Sequence, residues 1–299
     1  MPNVSYAQNR EDVLLNRVFP GTVGFYIDIG AADPVELSVT KWFYDRGWNG
    51  INIEPQAGYF AALSAARPRD INVNALLSDA RHDVTFYEFP DRPLLSTPDA
   101  ALAAEFKKAG VPVISRTLQA VTLAEVCERY VRGPIDFLKI DVEGHELSVL
   151  RGADFSRWRP VVLVIEATES ERSTPNHGPW EPLVLAADYL FATFDGLNRY
   201  YVRAEDAHLV PRLQLPINLF DEPYVPAERL AERAMWDAER AAWAAERVMW
   251  TTERAGWVAR VEEQAADRVA ERTLWAAERA DLLERVRWLD GQLHLYRAA

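Results

Sequence analysis

Positive charge is scarce in this 299-residue chain: 33 Lys and Arg stand against 45 Asp and Glu, a formal net charge of −12. Phosphate backbones are gripped by clustered Lys and Arg, so a general nucleic-acid binder is excluded. The single cysteine, Cys127, excludes an intramolecular disulfide framework and a cysteine-based zinc site. It falls in the apolar-periodic segment 121–130, where an inert, half-buried thiol is expected. No run approaches the ~18 uninterrupted apolar residues of a membrane span. The amino end lacks a charged stretch followed by an apolar one, so no secretory signal is expected. These absences lead to the expectation of a soluble, cytoplasmic protein. Hydrophobic residues still make up 49%, enough for a sizeable core in one large domain or two smaller ones.

Residues 1 to about 222 alternate short apolar runs with amphipathic stretches, the pattern of βαβ units in an α/β fold. Strands are expected near 24–29, 50–54, 71–76, 83–88, 135–140, 160–166, 189–194 and 199–203. Helices are expected near 35–46, 56–66, 121–131, 144–150 and 179–187, the first capped by Asp33 with Pro34 at its first position. Residues 90–118 read as a loop. Gln8, Glu11 and Asp12 precede Val13-Leu14-Leu15 on another helix, its polar residues free to cap it or to close over a ligand.

The composition changes after Pro226. No proline follows, only Gly256 and Gly291 interrupt, and Ala, Glu, Arg and Trp dominate. Trp236, Trp243, Trp250 and Trp257 recur every seven residues, and the period slips before Trp275 as a stutter would in a coiled coil. The composition favours one long helix over 223–299, on the order of 100 Å at about 1.5 Å per residue. Both seam positions of an ordinary coiled coil are apolar, whereas Glu239, Glu246, Glu253 and Arg260 stand three after each Trp. Two uses stay open: self-association or packing on its own domain, and docking to a partner enzyme. With 12 Arg against 14 acidic residues from Ala227 onward, a basic membrane-surface helix is disfavoured.

The most informative stretch is Phe25-Tyr26-Ile27-Asp28-Ile29-Gly30, a buried strand running into a tight turn. Gly50-Ile51-Asn52-Ile53-Glu54 is a second strand ending in an acid, which can accept two ribose hydroxyls in the crevice beyond the strand ends. A dinucleotide site wants Gly-x-Gly-x-x-Gly for close approach to a pyrophosphate. Here the turn reads Gly30-Ala31-Ala32-Asp33-Pro34, with one glycine and an acid that repels phosphate. S-adenosylmethionine carries a sulfonium, an amino group, a carboxylate and a ribose but no phosphate. A loop with Asp28 and Gly30 suits it, Glu54 takes its ribose, and Ser78-Asp79 stands where the adenine amino group is met.

Asp28-Ile29-Gly30-Ala31, Ile53-Glu54-Pro55 and above all Phe137-Leu138-Lys139-Ile140-Asp141-Val142-Glu143-Gly144-His145-Glu146 resemble the FkbM-family methyltransferases. The resemblance runs from Tyr6, Gln8, Glu11 and Asp12 through His177, Trp180-Glu181 and Asp195-Gly196-Leu197-Asn198-Arg199, leaving the Trp-rich tail outside it. It implies a Rossmann-like S-adenosylmethionine-dependent methyltransferase fold over 1–222. It also implies methylation of hydroxyls on sugars or natural products, many members being associated with polysaccharide or glycoconjugate assembly. The family's usual turn, Gly-Ala-Asn-x-Gly, is altered here to Gly30-Ala31-Ala32-Asp33-Pro34.

Three sets compete to take the acceptor's proton. Asp141 and Glu166 end neighbouring strands, and such oxygen ligands also suit Mg²⁺, which lowers the pKa of a bound hydroxyl. The bland alternative has Asp141 capping the next helix. His177, in the loop Pro175-Asn176-His177-Gly178-Pro179, has the titration range for proton abstraction near neutral pH. His145 is the third, with a surface position expected. Trp180, Glu181, Asn198 and Arg199 are candidate acceptor contacts, Trp180 by stacking on a sugar face or as a core or lid aromatic. Lys139 is expected to pair with Glu143 or Glu146 as a structural ion pair. The leading expectation is sugar O-methylation. A natural-product acceptor and a catalytically idle scaffold displaying the Trp-rich helix are the alternatives, and a nicotinamide oxidoreductase is disfavoured by the missing glycines.

Overall fold

Runs rich in Ile, Val, Phe and Tyr bounded by turns become strands because such side chains pack well on a pleated, buried surface. The structure is a computed structural model and describes residues 3–169, 172–218, 221 and 224–297. In chain order its first part runs β1 (Asn3–Ser5), α1 (Glu11–Val18), β2 (Phe25–Ile29), α2 (Lys41–Asp45), β3 (Asn49–Ile53), α3 (Ala57–Ala66) and β4 (Ile71–Val73). There follow β5 (Leu76–Leu77), β6 (Asp83–Glu88), α4 (Ala100–Lys108), β7 (Ile114–Val121), α5 (Leu123–Tyr130), β8 (Phe137–Ile140) and α6 (Glu146–Arg151). The chain continues through β9 (Val162–Glu166), α7 (Glu181–Ala186), β10 (Tyr189–Phe194), β11 (Asn198–Arg203), α8 (Val210–Gln214), β12 (Tyr224–Pro226) and α9 (Ala227–Arg297). Two compact units result, Met1–Leu230 and Ala231–Ala299. The expected boundary at 222/223 lies outside the described residues. No helix among the described residues is long and apolar enough to cross a membrane.

The first unit is built on a seven-stranded sheet in the order β10-β11-β9-β8-β2-β3-β4. Strands β9, β8, β2, β3 and β4 are parallel, and β11 is antiparallel to both its neighbours. From β2 the chain builds outward through β3 and β4, then returns to lay β8 and β9 on the other side. Strand order therefore reverses between β2 and β8, the kind of point where open α/β sheets hold ligands.

Strand periodicity sorts the core into two faces. Tyr26, Phe137, Val162 and Val164 pack with Leu14 and Leu15 of α1, Trp42 and Phe43 of α2 and Leu213 of α8. Ile27, Ile29, Leu138, Ile140, Leu163 and Ile165 pack with Leu123 and Val126 of α5, Val149 of α6 and Val184 of α7. Each such buried side chain contributes about 1.5–3 kcal/mol. Cys127 sits fully inside this second cluster rather than half-buried, and burial pushes its thiol up to about 12.

Three expectations need correction. The helix over 35–46 begins only at Lys41. Asp33 does accept the amides of Val35 and Glu36, each at 2.8 Å, as a cap would. Leu37 then turns left-handed, with φ of 56°, and bridges Ala7, which interrupts the helix. The strand over 71–76 divides into β4 and β5, because Asn74 turns its side-chain amide back onto the carbonyls of Glu54 and Pro55 at 2.8 and 3.0 Å. The expected loop 90–118 holds α4, capped by Asp99 accepting from Ala101 and Leu102, and the start of β7. Strand β7 pairs antiparallel with β6, but its mostly exposed polar residues hide a strand signal.

Candidate active site

The site begins where two backbones touch. Gly30 closes β2 with φ of 73°, and a Cβ on it would lie 1.8 Å from the carbonyl oxygen of Asp141 at the end of β8. Only glycine satisfies both the left-handed backbone and the close approach. The Asp141 amide donates to Ile29 O at 3.1 Å, and the Gly30 and Ala31 amides donate to Ile53 O at 3.0 and 3.3 Å. The ends of β2, β3 and β8 are thereby laced into one rim. Beside it opens a cleft of about 930 Å³, counting its mouth, lined from Gln8, the 28–32 turn, Glu54, the Ala75–Leu77 segment, Phe86, Ser96 and the 141–145 turn.

Glu54 faces this cleft from the end of β3. Its Oε2 accepts the Ala32 amide at 3.0 Å and its Oε1 the Gln56 amide at 2.7 Å, so each oxygen keeps a lone pair. Burial raises its carboxyl to about 7 in spite of these two amides.

Behind the turn, Lys139 Nζ donates to Gly30 O at 2.9 Å and stands 3.4 Å from both Asp28 Oδ1 and Asp141 Oδ2. Its partners are thus Asp28 and Asp141, not Glu143 or Glu146. The reason is non-local: side chains two apart on a strand share a face, and Asp28 is the direct partner of Lys139 across β2 and β8. Burial works against the ammonium, yet Asp141 and Asp28 more than offset this and hold its pKa above the usual range. Glu146 instead accepts the amides of Val142 and Gly144 at 3.2 and 3.1 Å, tying down the turn, and burial pushes it up to about 7.

Carboxylate oxygens of Asp141, Glu143 and Glu166 lie within 4.8 Å of one another. Glu166 is 6% exposed, and burial followed by the charges of Asp141, Glu143 and Glu146 raises it well above the ordinary carboxylate value. Glu143 is the member that sequence reasoning missed. It takes a left-handed φ of 52° before Gly144 at 90°, and the turn brings it back toward Asp141. The glycine directly after Glu143 was the available signal.

The remaining candidates divide. His145 stands at the position before α6, half-buried rather than on the surface; it lines the cleft, its Nε2 is 3.3 Å from Ser78 Oγ, and burial lowers its pKa. Ser78 itself is buried and Asp79 exposed, and neither lines the cleft. His177 does not line it either: its Nε2 is 3.7 Å from Glu181 Oε2 and its ring meets Trp180 edge-on. Trp180 is 2% exposed within the core beneath α7, which removes it from sugar stacking. Arg199 Nη2 and the Tyr201 hydroxyl both donate to Glu181 Oε1, at 2.6 and 2.9 Å. Asn198 is buried and donates to Glu11 Oε1 at 2.7 Å. Glu11 and Asp12 are thus inward structural groups, Asp12 holding Ser5 Oγ at 2.7 Å and the Tyr6 amide at 2.9 Å. Gln8 alone of the N-terminal trio reaches the cleft.

Among the lining residues Lys139 is the single Lys or Arg, and it is engaged by two carboxylates. A pyrophosphate finds no counter-charge there, whereas the glycine cradle and the Glu54 carboxylate fit a cofactor with a sulfonium and a ribose. A reversed strand order, a glycine turn at the reversal and an acid at the next strand end are the features of a Rossmann-like fold, and they fit an S-adenosylmethionine-dependent methyltransferase. The chain belongs to the methyltransferase FkbM domain family, whose model matches residues 28–191, more than half its length. Among solved structures it is similar to a TehB-like SAM-dependent methyltransferase from Corynebacterium glutamicum, at 8% identity and a TM-score of 0.38, over 64% of this chain and 87% of that one. It is similar also to an O-methyltransferase from Bacillus cereus in complex with SAH, at 13% identity and a TM-score of 0.36, over 66% and 82%. Likeness this distant assigns neither substrate nor residues. No curated protein matches the sequence.

Proposed function

We propose that this methyltransferase acts on oxygen, and that its acceptor is a sugar hydroxyl in a polysaccharide or glycoconjugate. The observation that carries the reading is the composition of the cleft wall next to the Gly30 turn. Asp141 and Glu143 line it, Glu166 stands against them, and His145 lies further along. These groups accept hydrogen bonds from hydroxyls and take up their protons, and none of them attracts an anionic acceptor.

When bound, S-adenosylmethionine supplies an electrophilic methyl group. Gly30 lets the backbone approach it, Glu54 presents lone pairs to the ribose, and Asp28 fixes the turn from behind through Lys139 and Thr40, whose hydroxyl donates to Asp28 Oδ2 at 2.9 Å. The acceptor hydroxyl is oriented by Asp141, and its proton passes to Asp141 or Glu166. Glu166 stands beside Asp141 with a buried oxygen that meets no donor among the described residues. Positioning supplies much of the rate, and a base of this kind adds about 10²–10⁴-fold. His177 keeps a supporting role, its ring held beside Glu181 and Trp180.

The test is transfer of an isotope-labelled methyl group from S-adenosylmethionine to panels of saccharides and of polyketide alcohols, with the product located by carbon NMR. A labelled methyl ether on a saccharide supports the reading. Transfer only to polyketides moves the acceptor to natural products, and a label on nitrogen or carbon refutes O-methylation.

For the second unit we infer self-association through the tryptophan face of α9. Trp243, Trp250 and Trp257 are 65%, 64% and 62% exposed. The near balance of Arg and acidic residues on this helix suits a second copy better than a strongly charged partner.

A further inference from the structure

We propose that Asp141, Glu143 and Glu166 together form a divalent-cation site, suited to Mg²⁺ or Mn²⁺, on the acceptor side of the cleft. The sequence pointed to two of these acids; the structure adds the third and, on Glu166, a buried oxygen that meets no donor among the described residues.

The first support is spacing. One carboxylate oxygen from each residue lies within 4.8 Å of the other two. An octahedral ion with bonds of about 2.1 Å sets adjacent ligands about 3 Å apart and opposite ligands about 4 Å apart. Three oxygens within that reach can converge on one ion when their side chains draw inward.

The second support is independent of the clustering. Among the described residues Glu166 Oε2 is buried without a donor, on a side chain 6% exposed whose one hydrogen-bonding neighbour is another acid, Asp141. Buried carboxylate oxygens are ordinarily filled by a donor, because an unsatisfied one is costly. Lys139, behind the rim, does not fill it: its ammonium is directed at Gly30 O, Asp28 and Asp141.

The arrangement is also held in place. Glu166 ends β9, a strand flanked by β8 and β11, and is itself paired with Asn198 of β11. The turn that carries Asp141 and Glu143 is fastened by Glu146 to the amides of Val142 and Gly144, and by Thr97 Oγ1, which donates to Glu143 O at 2.7 Å. Asp141 and Glu143 remain partly open to the cleft, which leaves the outer coordination positions to water or to acceptor hydroxyls. A hydroxyl held there loses its proton more readily. That use of the cation rests on the methyl-transfer reading; its binding does not.

The experiment titrates Mn²⁺ alone into the full-length protein and follows bound metal by water-proton relaxation, with Mg²⁺ as competitor. Binding of S-adenosylhomocysteine is measured separately on the same samples. One competable Mn²⁺ site per chain is expected, and both Glu166→Gln and Glu143→Gln should weaken it by about tenfold or more. Glu143 is partly exposed, so its variant keeps the test alive if Glu166→Gln fails to fold. No binding at millimolar Mn²⁺, or binding untouched by Glu143→Gln, overturns the site. S-adenosylhomocysteine binding without Mn²⁺ binding sinks the cation site alone. Mn²⁺ binding without S-adenosylhomocysteine binding upholds the cation site and sinks the methyl-transfer reading instead.

Discussion

Lys139 and Asp28 face each other directly across β2 and β8, with Nζ 3.4 Å from Oδ1, and the same ammonium lies 3.4 Å from Asp141 Oδ2. The contact with Asp28 is ionic and lacks hydrogen-bond geometry, for Asp28 Oδ1 has no hydrogen-bond partner. One lysine therefore ties the end of β2 to the end of β8.

Lys139→Met removes that charge and leaves two acids against a buried apolar side chain. Breaking a buried pair by deleting one partner costs about 3–5 kcal/mol, and a urea denaturation series should read a loss of that size. Adding Asp28→Asn to Lys139→Met should restore part of it, since neighbours sharing one network do not add. A double variant losing the full sum of the singles would show that the pair is uncoupled.

Gly30→Ala tests the close approach. A methyl group at 30 falls 1.8 Å from the Asp141 carbonyl, on a backbone with φ of 73°. Overpacking of this kind costs about 1–3 kcal/mol, and left-handed strain adds to it. The melting temperature should fall, and calorimetric titration should show S-adenosylmethionine binding lost, because the β2 turn and the end of β8 are forced apart. Unchanged binding would separate the turn from the cofactor.

Glu54→Ala should weaken S-adenosylmethionine binding by about 1–3 kcal/mol, the cost of polar groups left unmatched. The Ala32 and Gln56 amides lose their acceptor in the same variant. Glu54→Gln, which keeps an acceptor for one of them, should lose less stability while still weakening the cofactor. Equal cofactor affinity in wild type and Glu54→Ala would remove Glu54 from the ribose.

The central strands were legible because both faces of each are largely buried, so that Phe25–Ile27 and Val162–Ile165 read as continuous apolar runs. The strand ends at Gly30 and Glu54 stood out for the same reason, as polar or glycine residues closing such runs. Pairings across the sheet were not legible. Lys139 takes Asp28 as partner through the β2–β8 register, which no local pattern encodes. Trp180 read equally as a sugar-stacking aromatic and as a core or lid aromatic, and only the fold puts it in the core. Leu37 and Glu143 are left-handed residues other than glycine, a conformation that costs local energy and is held by tertiary contacts. The half-exposed β7 carries no buried stripe long enough to separate it from a loop.

Replacing Trp243, Trp250 and Trp257 by alanine in the full-length chain should lower the solution mass measured by light scattering while leaving cofactor binding intact. Alanine keeps the helix, being the best helix former, and removes an exposed aromatic patch of the sort that marks interaction surfaces. An unaltered mass in the triple variant would rule out self-association through this face.

Stability should fall as pH rises from about 4.5 to about 7. Burial raises Glu11, Glu54 and Glu146 to about 7 and Asp12 to about 6. In that window the folded protein holds protons that the unfolded chain, at ordinary carboxylate values of about 4, has already released. With more protons bound in the native state, the slope of unfolding free energy against pH is negative. Glu11 is the cleanest probe, since it sits away from the cleft and pairs with Asn198 and the Asn9 amide. A single shift from about 4.5 to about 7 amounts to about 3 kcal/mol at most, at about 1.4 kcal/mol per unit. Glu11→Gln should therefore gain stability relative to wild type between about pH 5 and about pH 8 by up to that amount in urea denaturation. A difference between the two proteins that is the same at both pH values would show that Glu11 does not titrate in this window.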